Sequence, residues 1–269
     1  MGVLLAAALL GVVQGLTEFL PVSSSAHLIL ARLVFGWDAR GLGLAFDVAT
    51  HLGTLAAVLY YFRADLRPLA AAVPAALAGG GGERGHLVRL VAAGTVPIII
   101  FGLFAMEWLE TLRDDPALCA ATLTIGGIGM MVAERARATA RGDQDITIAE
   151  AFAIGCGQAA ALFPGMSRSG TTITIAMLLG IRREAAARFT FLMSIPAVMA
   201  AAGREALALR GVPLDAAAAA MFAIGVVVAG VVGYLSVKYL IRYLASHTLD
   251  AFAYYRFALA AAVIVWLVA

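Results

Sequence analysis

The chain has 269 residues, of which 62% are hydrophobic and only 13% are charged. Soluble domains carry about 25% charged residues, so this composition excludes an ordinary soluble globule. The net charge of +2 gives no reason to expect a nucleic-acid partner. Cys119 and Cys156 lie inside apolar stretches without metal-ligand spacing and indicate no disulfide or metal framework. A mean hydropathy of +0.94 predicts a helical membrane protein with several spans.

In chain order, the predicted elements form the same series twice. An interrupted apolar segment at 2–35 precedes three segments long enough to cross about 30 Å of hydrocarbon, and a second interrupted segment at 148–181 precedes three more. The six predicted spans are 44–62, 87–106, 117–133, 185–203, 217–240 and 251–268. We therefore predict an all-α integral membrane protein that forms a single domain, 1–269, from two repeats, 1–135 and 146–269.

The two interrupted segments are typical of re-entrant helical hairpins. Non-helical backbone at membrane depth is tolerated only where protein or a watery cavity satisfies its polar groups. Because each half has an odd number of spans, the second half inserts upside down. A shift of 143 residues places Pro21 on Pro164 and Ser24 on Ser167. Inverted repeats with interrupted helices place a binding site at their interface, so we expect the two hairpin tips to meet there.

Charged residues divide between the two predicted sides of the membrane. One side receives Arg63, Arg67, Arg84, Arg89, Arg135, Arg137, Arg141, Arg182, Arg183, Lys238 and Arg242. The other side receives Arg40, Arg113, Arg204 and Arg210 together with Glu107, Glu110, Asp114 and Asp115. The positive-inside rule makes the first side cytoplasmic and places both termini outside, together with the mouth of the first hairpin.

Two side chains of the first hairpin centre are spaced to share one ligand. Gln14 and Glu18 are four residues apart before Pro21, so a helix shows both on one face. An ionisable group inside a membrane protein costs at least about 2.5 kcal/mol and is a functional candidate by default. We expect Glu18 to hold a divalent cation that bridges phosphate oxygens, with Gln14 as a neutral second ligand. Asp47 and His51, also four residues apart, are more typical of an interfacial hydrogen-bonded pair.

Beyond Pro21, the sequence favours a helix that begins in a serine cluster. Ser23 fits an N-cap, and Ser24 and His27 are three residues apart on a common helix face. A hydroxyl and an imidazole in this arrangement fit a nucleophile with its base. The alternative is that these residues only cap the helix and form local hydrogen bonds. Attack by Ser24, by His27 or by water stays open at this point.

The second hairpin centre has the form of an anion cradle. Its glycines, hydroxyls and the guanidinium of Arg168 precede an apolar helix whose first N–H groups are free to bind an anion. The alternative is that Arg168 only neutralises Glu18 across the repeat interface. The catalytic candidates are Glu18, Ser24, His27 and Arg168, and the substrate-binding candidates are Gln14, Ser23, Ser25, Gly165, Ser167, Ser169, Gly170, Thr171 and Thr172. Together they suit phosphoryl transfer on an amphiphile with a phosphate head.

Two strings of residues resemble signatures of one known family. Gln14-Gly-Leu-Thr-Glu18-Phe-Leu-Pro21-Val-Ser23-Ser24-Ser25-Ala-His27 resembles the Glu/Gln-x-x-x-Glu motif and Ser-His segment of the undecaprenyl-diphosphate phosphatases, also called the bacitracin-resistance family. Pro164-Gly-Met-Ser167-Arg168-Ser169-Gly-Thr-Thr172 resembles the second signature of that family. The family's catalytic positions correspond to Glu18, Ser24, His27 and Arg168 here. Gln14 stands at a position where the family allows Glu or Gln, and Ala26 stands where many members have Gly.

The resemblance implies a bacterial inner-membrane enzyme that hydrolyses undecaprenyl diphosphate to undecaprenyl phosphate and inorganic phosphate. It implies recycling of this lipid carrier for peptidoglycan synthesis and dependence on a divalent cation, Mg²⁺ or Ca²⁺. It also implies bacitracin resistance, because the antibiotic competes for the substrate and not for the protein. A transporter or flippase for a polyprenyl phosphate lipid is the alternative, since inverted repeats are common among transporters. The sequence leaves open the prenyl chain length and whether two copies form a homodimer.

Overall fold

The computed structural model describes residues 2–36, 43–112, 115–136, 140–208 and 215–268. Within these ranges the chain forms eleven α-helices, a short 3-10 turn at Asp143–Asp145 and no extended strand. The helices are α1 (Val3–Thr17), α2 (Ser24–Phe35), α3 (Leu44–Tyr61), α4 (Arg63–Leu77), α5 (Gly82–Leu112), α6 (Pro116–Arg135), α7 (Ile148–Ala160), α8 (Arg168–Leu178), α9 (Arg183–Ala208), α10 (Ala216–Leu244) and α11 (Asp250–Val268). The all-α prediction is confirmed.

Five stretches of helix are long and apolar enough to cross a membrane. They are Gly82–Ala105, Pro116–Arg135, Arg183–Gly203, Ala216–Leu244 and Asp250–Val268, and each coincides with a predicted span. The remaining predicted span, 44–62, is present as the helix α3 but is not among these five, so its crossing stays a prediction. Several charges used to orient the chain lie outside the described residues, namely Arg40, Arg113, Asp114, Arg137 and Arg210.

Both predicted interruptions are present as helix–turn–helix units. In the first, α1 ends at Thr17 and packs against α2, which begins at Ser24; in the second, α7 ends at Ala160 and packs against α8, which begins at Arg168. A proline lies in each turn, where a residue without an N–H group and with restricted neighbours interrupts helical hydrogen bonding. We call the two turns and the first residues of α2 and α8 the first and second tips.

The two tips share an unusual local backbone geometry. Ser23 and Ser167 are N-caps of α2 and α8 with φ of 75° and 67°, the positive values found at non-glycine residues in the described chain. Their hydroxyls accept hydrogen bonds from the N–H groups of Ala26 (3.4 Å) and Gly170 (3.2 Å). The expected shift of 143 residues paired Ser24 with Ser167, whereas the cap geometry pairs Ser23 with Ser167. The difference arises because backbone position, and not residue identity, defines the equivalent caps.

The two tips are in contact, as the sequence predicts. The N–H of Gly165 donates to the Ser25 hydroxyl at 3.3 Å, and the Ser169 hydroxyl donates to the carbonyl of Leu20 at 3.2 Å. The halves of the chain also interlock beyond the tips, because α1 and α3 pack against α10 while α5 packs against α7. The site between the tips is therefore held by helices from both halves.

A buried guanidinium on α11 connects both tips to α6. Arg256 is completely buried and donates to the carbonyl oxygens of Pro21 (3.5 Å), Gly165 (3.1 Å) and Met166 (3.2 and 3.1 Å). Two more of its hydrogen bonds, both 3.0 Å, reach carbonyls of α6. Helix breaks leave carbonyls without intrahelical donors, and one guanidinium carries five N–H groups. Arg256 thus satisfies several of the carbonyls that the two breaks expose.

Gly165 offers a test of how closely the second tip packs on α6. Its φ is +85°, and an added Cβ would lie 2.2 Å from the hydroxyl oxygen of Thr122 and 2.6 Å from the carbonyl of Cys119. We expect Gly165→Ala to lower the free energy of unfolding by about 1–3 kcal/mol, because both the backbone strain and the overlap must be relieved. Thermal unfolding in detergent measures this change. Gly102→Ala on α5 is the control, since no heavy atom lies within 4 Å of its added Cβ; equal midpoints for the two variants would contradict the close fit.

Candidate active site

Glu18, in the turn that follows α1, is the centre of the site. Its carboxylate is buried and accepts hydrogen bonds from the Gln14 amide at 3.1 Å and from the Ser24 hydroxyl at 2.8 Å. Arg168 from the second tip donates to its other oxygen. The Nε2 atom of His51 on α3 lies 3.4 Å from the same oxygen that Ser24 contacts. The two tips thus join a carboxylate, a hydroxyl and a guanidinium that are far apart in sequence.

These groups face a cavity of about 330 Å³. Its polar lining is formed by Thr17, Glu18, Ser23, Ser24, Ser25, Arg32, Asp47, His51, Gln158, Ser167 and Arg168. Its apolar lining comes mainly from α5, α9 and the turn after α7 and includes Ile98, Leu109, Leu162, Ala197, Val198, Ala201 and Ala202. A cavity with one polar and one apolar lining suits an amphiphile, with the charged head at the tips.

Two helices begin at the polar lining of this cavity. Ser24 and Arg168 are the first residues of α2 and α8, and both line the cavity beside the N-caps Ser23 and Ser167. The first N–H groups of a helix lack intrahelical acceptors, and the helix dipole places partial positive charge there. Together with the guanidinium of Arg168, the two helix starts form a region that favours an anion.

His51 belongs to the site, although the sequence indicated only an interfacial pair. Its Nδ1 atom bonds the carbonyl of Asp47 at 2.7 Å, which turns Nε2 towards Glu18. The Asp47 carboxylate pairs with Arg32 at 2.5 Å, and both of these side chains are buried and line the cavity. The signal in the sequence was the polar i, i+4 pair within an apolar helix. Its partner could not be predicted because it depends on the packing of α3 against the first tip.

Several predicted binding residues lie in the tips or directly behind them and do not line the cavity. Gln14 is fully buried behind Glu18, where its amide N–H holds the carboxylate. Thr171 and Thr172 donate to the carbonyls of Met166 (3.2 Å) and Arg168 (2.7 Å). Gly165, Ser169 and Gly170 likewise make contacts within or between the tips. The structure brings Ser23, Ser25 and Ser167 to the cavity, and direct substrate binding by any of the candidates stays a prediction.

His27 takes a different position from the one its spacing suggested. Its Nδ1 atom bonds the carbonyl of Ser23 at 2.6 Å, and its Nε2 atom bonds the hydroxyl of Tyr255 on α11 at 2.7 Å. The two rings are nearly parallel, with centroids 5.6 Å apart. Successive helix residues are rotated by about 100°, so the cavity-lining residues Ser25 and Arg32 lie on one side of Ser24 around α2 and His27 lies on the other. The Ser24 hydroxyl is directed to Glu18 and not to this imidazole.

Glu18 and Gln14, the expected cation ligands, lie beside each other, and cation binding by them stays a prediction. Among the described residues, no group of three or more His, Cys, Asp and Glu side chains is placed to hold a metal ion. The Oε1 atom of Gln14 is buried beside Glu18 and has no hydrogen-bond partner among them. One carboxylate and one amide oxygen fit an ion such as Mg²⁺, which proteins often bind through one or two carboxylates and the phosphate oxygens of the substrate.

Comparisons with known proteins agree with these features. A sequence model of a family described as "Bacitracin resistance protein BacA" matches residues 7–262. An undecaprenyl-diphosphatase of Rubrobacter xylanophilus is 46% identical over 263 residues, which cover 97% of each chain. Undecaprenyl-diphosphatases of Moorella thermoacetica and Thioalkalivibrio sulfidiphilus are 42% and 43% identical, with 97% and 94% of this chain and 96% and 94% of theirs aligned. The chain therefore belongs to the BacA bacitracin-resistance family.

Proposed function

We propose that this protein is an integral membrane phosphatase that hydrolyses undecaprenyl diphosphate to undecaprenyl phosphate and inorganic phosphate. The observation that carries the proposal is the contact of Ser24, Glu18 and Arg168 at the polar lining of a cavity whose remaining walls are apolar. The names of its relatives support this substrate. The reaction recycles the lipid carrier for peptidoglycan synthesis and confers bacitracin resistance, because it removes the diphosphate that the antibiotic binds.

The substrate binds with its diphosphate between the two tips and the start of its prenyl chain against the apolar lining. Phosphate oxygens accept hydrogen bonds from Arg168 and from the free N–H groups at the starts of α2 and α8. Arg168 also contacts Glu18. This contact fixes the position of the guanidinium beside the cavity, and a phosphate that binds there competes with the Glu18 carboxylate for its N–H groups.

The geometry favours Ser24 as the nucleophile and Glu18 as the acceptor of its proton. The Ser24 hydroxyl already donates to Glu18 at 2.8 Å, so its oxygen lone pairs are free to attack phosphorus. As the new P–O bond forms, the bridging P–O bond breaks and undecaprenyl phosphate leaves as a stable anion. Water then releases inorganic phosphate from the serine, which regains its proton from Glu18. Arg168 and the helix starts hold the charge of the phosphoryl group throughout.

Glu18, with Gln14 behind it, would hold the divalent cation. When bound, the ion would neutralise charge on the phosphate oxygens, which is the usual contribution of a divalent cation to phosphoryl transfer. The unpartnered Oε1 atom of Gln14 supports this assignment. A position with Glu in place of Gln would add a second carboxylate, and the family resemblance allows either residue there.

The proposed topology has six spans in two inverted repeats, in the bacterial inner membrane with both termini outside. The matching cap geometry of Ser23 and Ser167 supports an inverted repeat, because equivalent positions in the two halves adopt the same rare backbone conformation. The sixth span is α3. In this orientation the first tip is reached from the outer side, where the arginine-poor loops lie.

Phosphate release by the purified protein in detergent, with undecaprenyl diphosphate and magnesium, tests the activity. We expect Ser24→Ala and Glu18→Gln each to lower kcat by at least about 10²-fold, because one removes the attacking oxygen and the other its proton acceptor. Ser246→Ala, outside the cavity, is the control. Lipid binding without phosphate release by the wild-type protein would favour a transporter, and full turnover by both site variants would contradict the proposed site.

The guanidinium geometry of Arg168 generates a separate prediction. Lysine keeps the charge but cannot form the paired hydrogen bonds of a guanidinium to phosphate oxygens. We expect Arg168→Lys to lower kcat/KM by about 10²-fold, close to the loss in Arg168→Ala, because one donor at such a site contributes about that factor. Steady-state kinetics of the two variants measure this. Wild-type rates in the lysine variant would show that only charge is needed.

Chelation tests the cation. We expect EDTA to reduce phosphate release to background and added Mg²⁺ or Ca²⁺ to restore it, because the ion that Glu18 would hold neutralises negative charge on the diphosphate. Gln14→Glu adds a second carboxylate, so we expect this variant to reach half of its maximal rate at a lower cation concentration. Turnover that persists after exhaustive chelation would exclude the ion.

A further inference from the structure

The arrangement of His27 and Tyr255 assigns a role to both residues. We infer that they form a positioning pair that fixes the backbone bend at Ser23, and that the imidazole of His27 exchanges no proton with the substrate. The inference rests on the proposed function, since it concerns how Ser24 is held for attack. It differs from the expectation that His27 is the base of Ser24, and it gives Tyr255 a part in the site.

The hydrogen bonds of His27 determine which nitrogen carries the proton. The carbonyl of Ser23 can only accept, so the Nδ1 atom that lies 2.6 Å from it is the donor. The Nε2 atom of the neutral ring is then an acceptor, and the Tyr255 hydroxyl at 2.7 Å donates to it. Both ring nitrogens are therefore engaged away from the cavity. No lone pair of this ring remains for the hydroxyl of Ser24.

The backbone bend that His27 stabilises lies at Ser23, and it is a conformation that serine disfavours. Ser23 has φ of 75°, and such backbone persists at a non-glycine residue only where its surroundings enforce it. The carbonyl of Ser23 receives two hydrogen bonds from His27, one from Nδ1 and one at 3.4 Å from the backbone N–H. Tyr255 keeps the proton on Nδ1 by donating to the other nitrogen. The pair thus stabilises the peptide that directly precedes Ser24.

The second tip has the same backbone bend, but a hydroxyl takes the place of the imidazole. Ser167 has φ of 67°, and Thr171 stands at the position that His27 occupies in the first tip. The Thr171 hydroxyl donates to the carbonyl of Met166 at 3.2 Å, one residue before the strained serine. A hydroxyl performs this task without titrating near neutral pH. The equivalent position in both tips therefore serves to hold a bend, and general-base chemistry is not needed to explain a donor there.

Two consecutive residues of α11 act on the first tip. Arg256 donates to the carbonyl of Pro21, and Tyr255 acts on the carbonyl of Ser23 through His27. The second half of the turn is thus anchored to one helix at Pro21 and at Ser23. This anchoring fixes the position of Ser24, whose hydroxyl lies 2.8 Å from the Glu18 carboxylate.

Side-chain replacement at His27 separates positioning from base catalysis. We expect His27→Leu to lower kcat by about 10²-fold, the cost of misplacing a reacting group by about 1 Å. His27→Asn offers an amide N–H at the place of Nδ1 but no titratable group, so we expect it to recover most of this loss with an unchanged pH–rate profile. Tyr255→Phe should lower kcat with KM unchanged and the same profile. His247→Asn is the control, because His247 also stacks on a tyrosine, Tyr243, but does not line the cavity.

Outcomes of this experiment are decisive in both directions. Equal losses of kcat in His27→Asn and His27→Leu would identify His27 as a base and overturn the inference. A limb of the pH–rate profile that shifts in Tyr255→Phe, or that vanishes in His27→Asn, would do the same. A lack of hydrolysis by the wild-type protein would instead contradict the proposed function.

Thermal unfolding in detergent tests the pair without any activity. If Tyr255 acts through His27, the double variant His27→Leu/Tyr255→Phe loses less in its midpoint than the two single losses added together, because contacting residues are not additive. The distant pair His247→Leu and Tyr255→Phe should be additive. Additivity in the first pair would overturn the coupling, whether or not the protein hydrolyses a diphosphate.

Discussion

Unsatisfied backbone groups at two helix breaks are the constraint on which the structure depends. Inside an apolar protein, a carbonyl or N–H without a partner costs several kcal/mol, because no bulk water replaces the lost hydrogen bond. The chain meets this cost with tertiary partners. Arg256 donates to carbonyls of both tips, Ser25 accepts from Gly165, and Ser169 donates to Leu20. The tips therefore stabilise each other, and neither break is favourable in isolation.

The same breaks create the chemical site. A helix that begins inside the protein directs free N–H groups and partial positive charge into the interior, and here two helices do so beside one cavity. This environment also lowers the cost of burying Glu18, which is neutralised by Arg168 and hydrogen bonded by Gln14 and Ser24. The unsatisfied backbone groups that require tertiary partners and the N–H groups that favour an anion thus come from the same two helix breaks.

The sequence was sufficient to predict contacts that depend on the local spacing of residues along one helix or within one hairpin centre. Helical spacing identified Gln14 beside Glu18, and the polar hairpin centres indicated that Arg168 would meet Glu18 across the tips. Contacts that depend on other helices could not be predicted in this way. Tyr255 reaches His27 only because α11 packs against the first tip, and His51 reaches Glu18 only because α3 does. The exact pairing of the caps also required φ values. A shift of 143 residues matches Pro21 with Pro164 and Ser24 with Ser167, whereas a shift of 144 matches Ser23 with Ser167 and Ser25 with Ser169.

The two tips share one cap geometry but carry different side chains, so they contribute different groups to one site. With Ser23 paired with Ser167, the first helical residues are Ser24 and Arg168, so in the proposed mechanism one tip supplies the attacking hydroxyl and the other the guanidinium that binds phosphate. The counterpart of Gln14 is Gln158, but the counterpart of Glu18 is Leu162, which lines the same cavity. A second carboxylate there would add like charge beside a diphosphate in a region of low dielectric constant. A single carboxylate between the tips lets Ser24 and Arg168 share one partner, and the leucine extends the apolar wall against which the proposed prenyl chain packs.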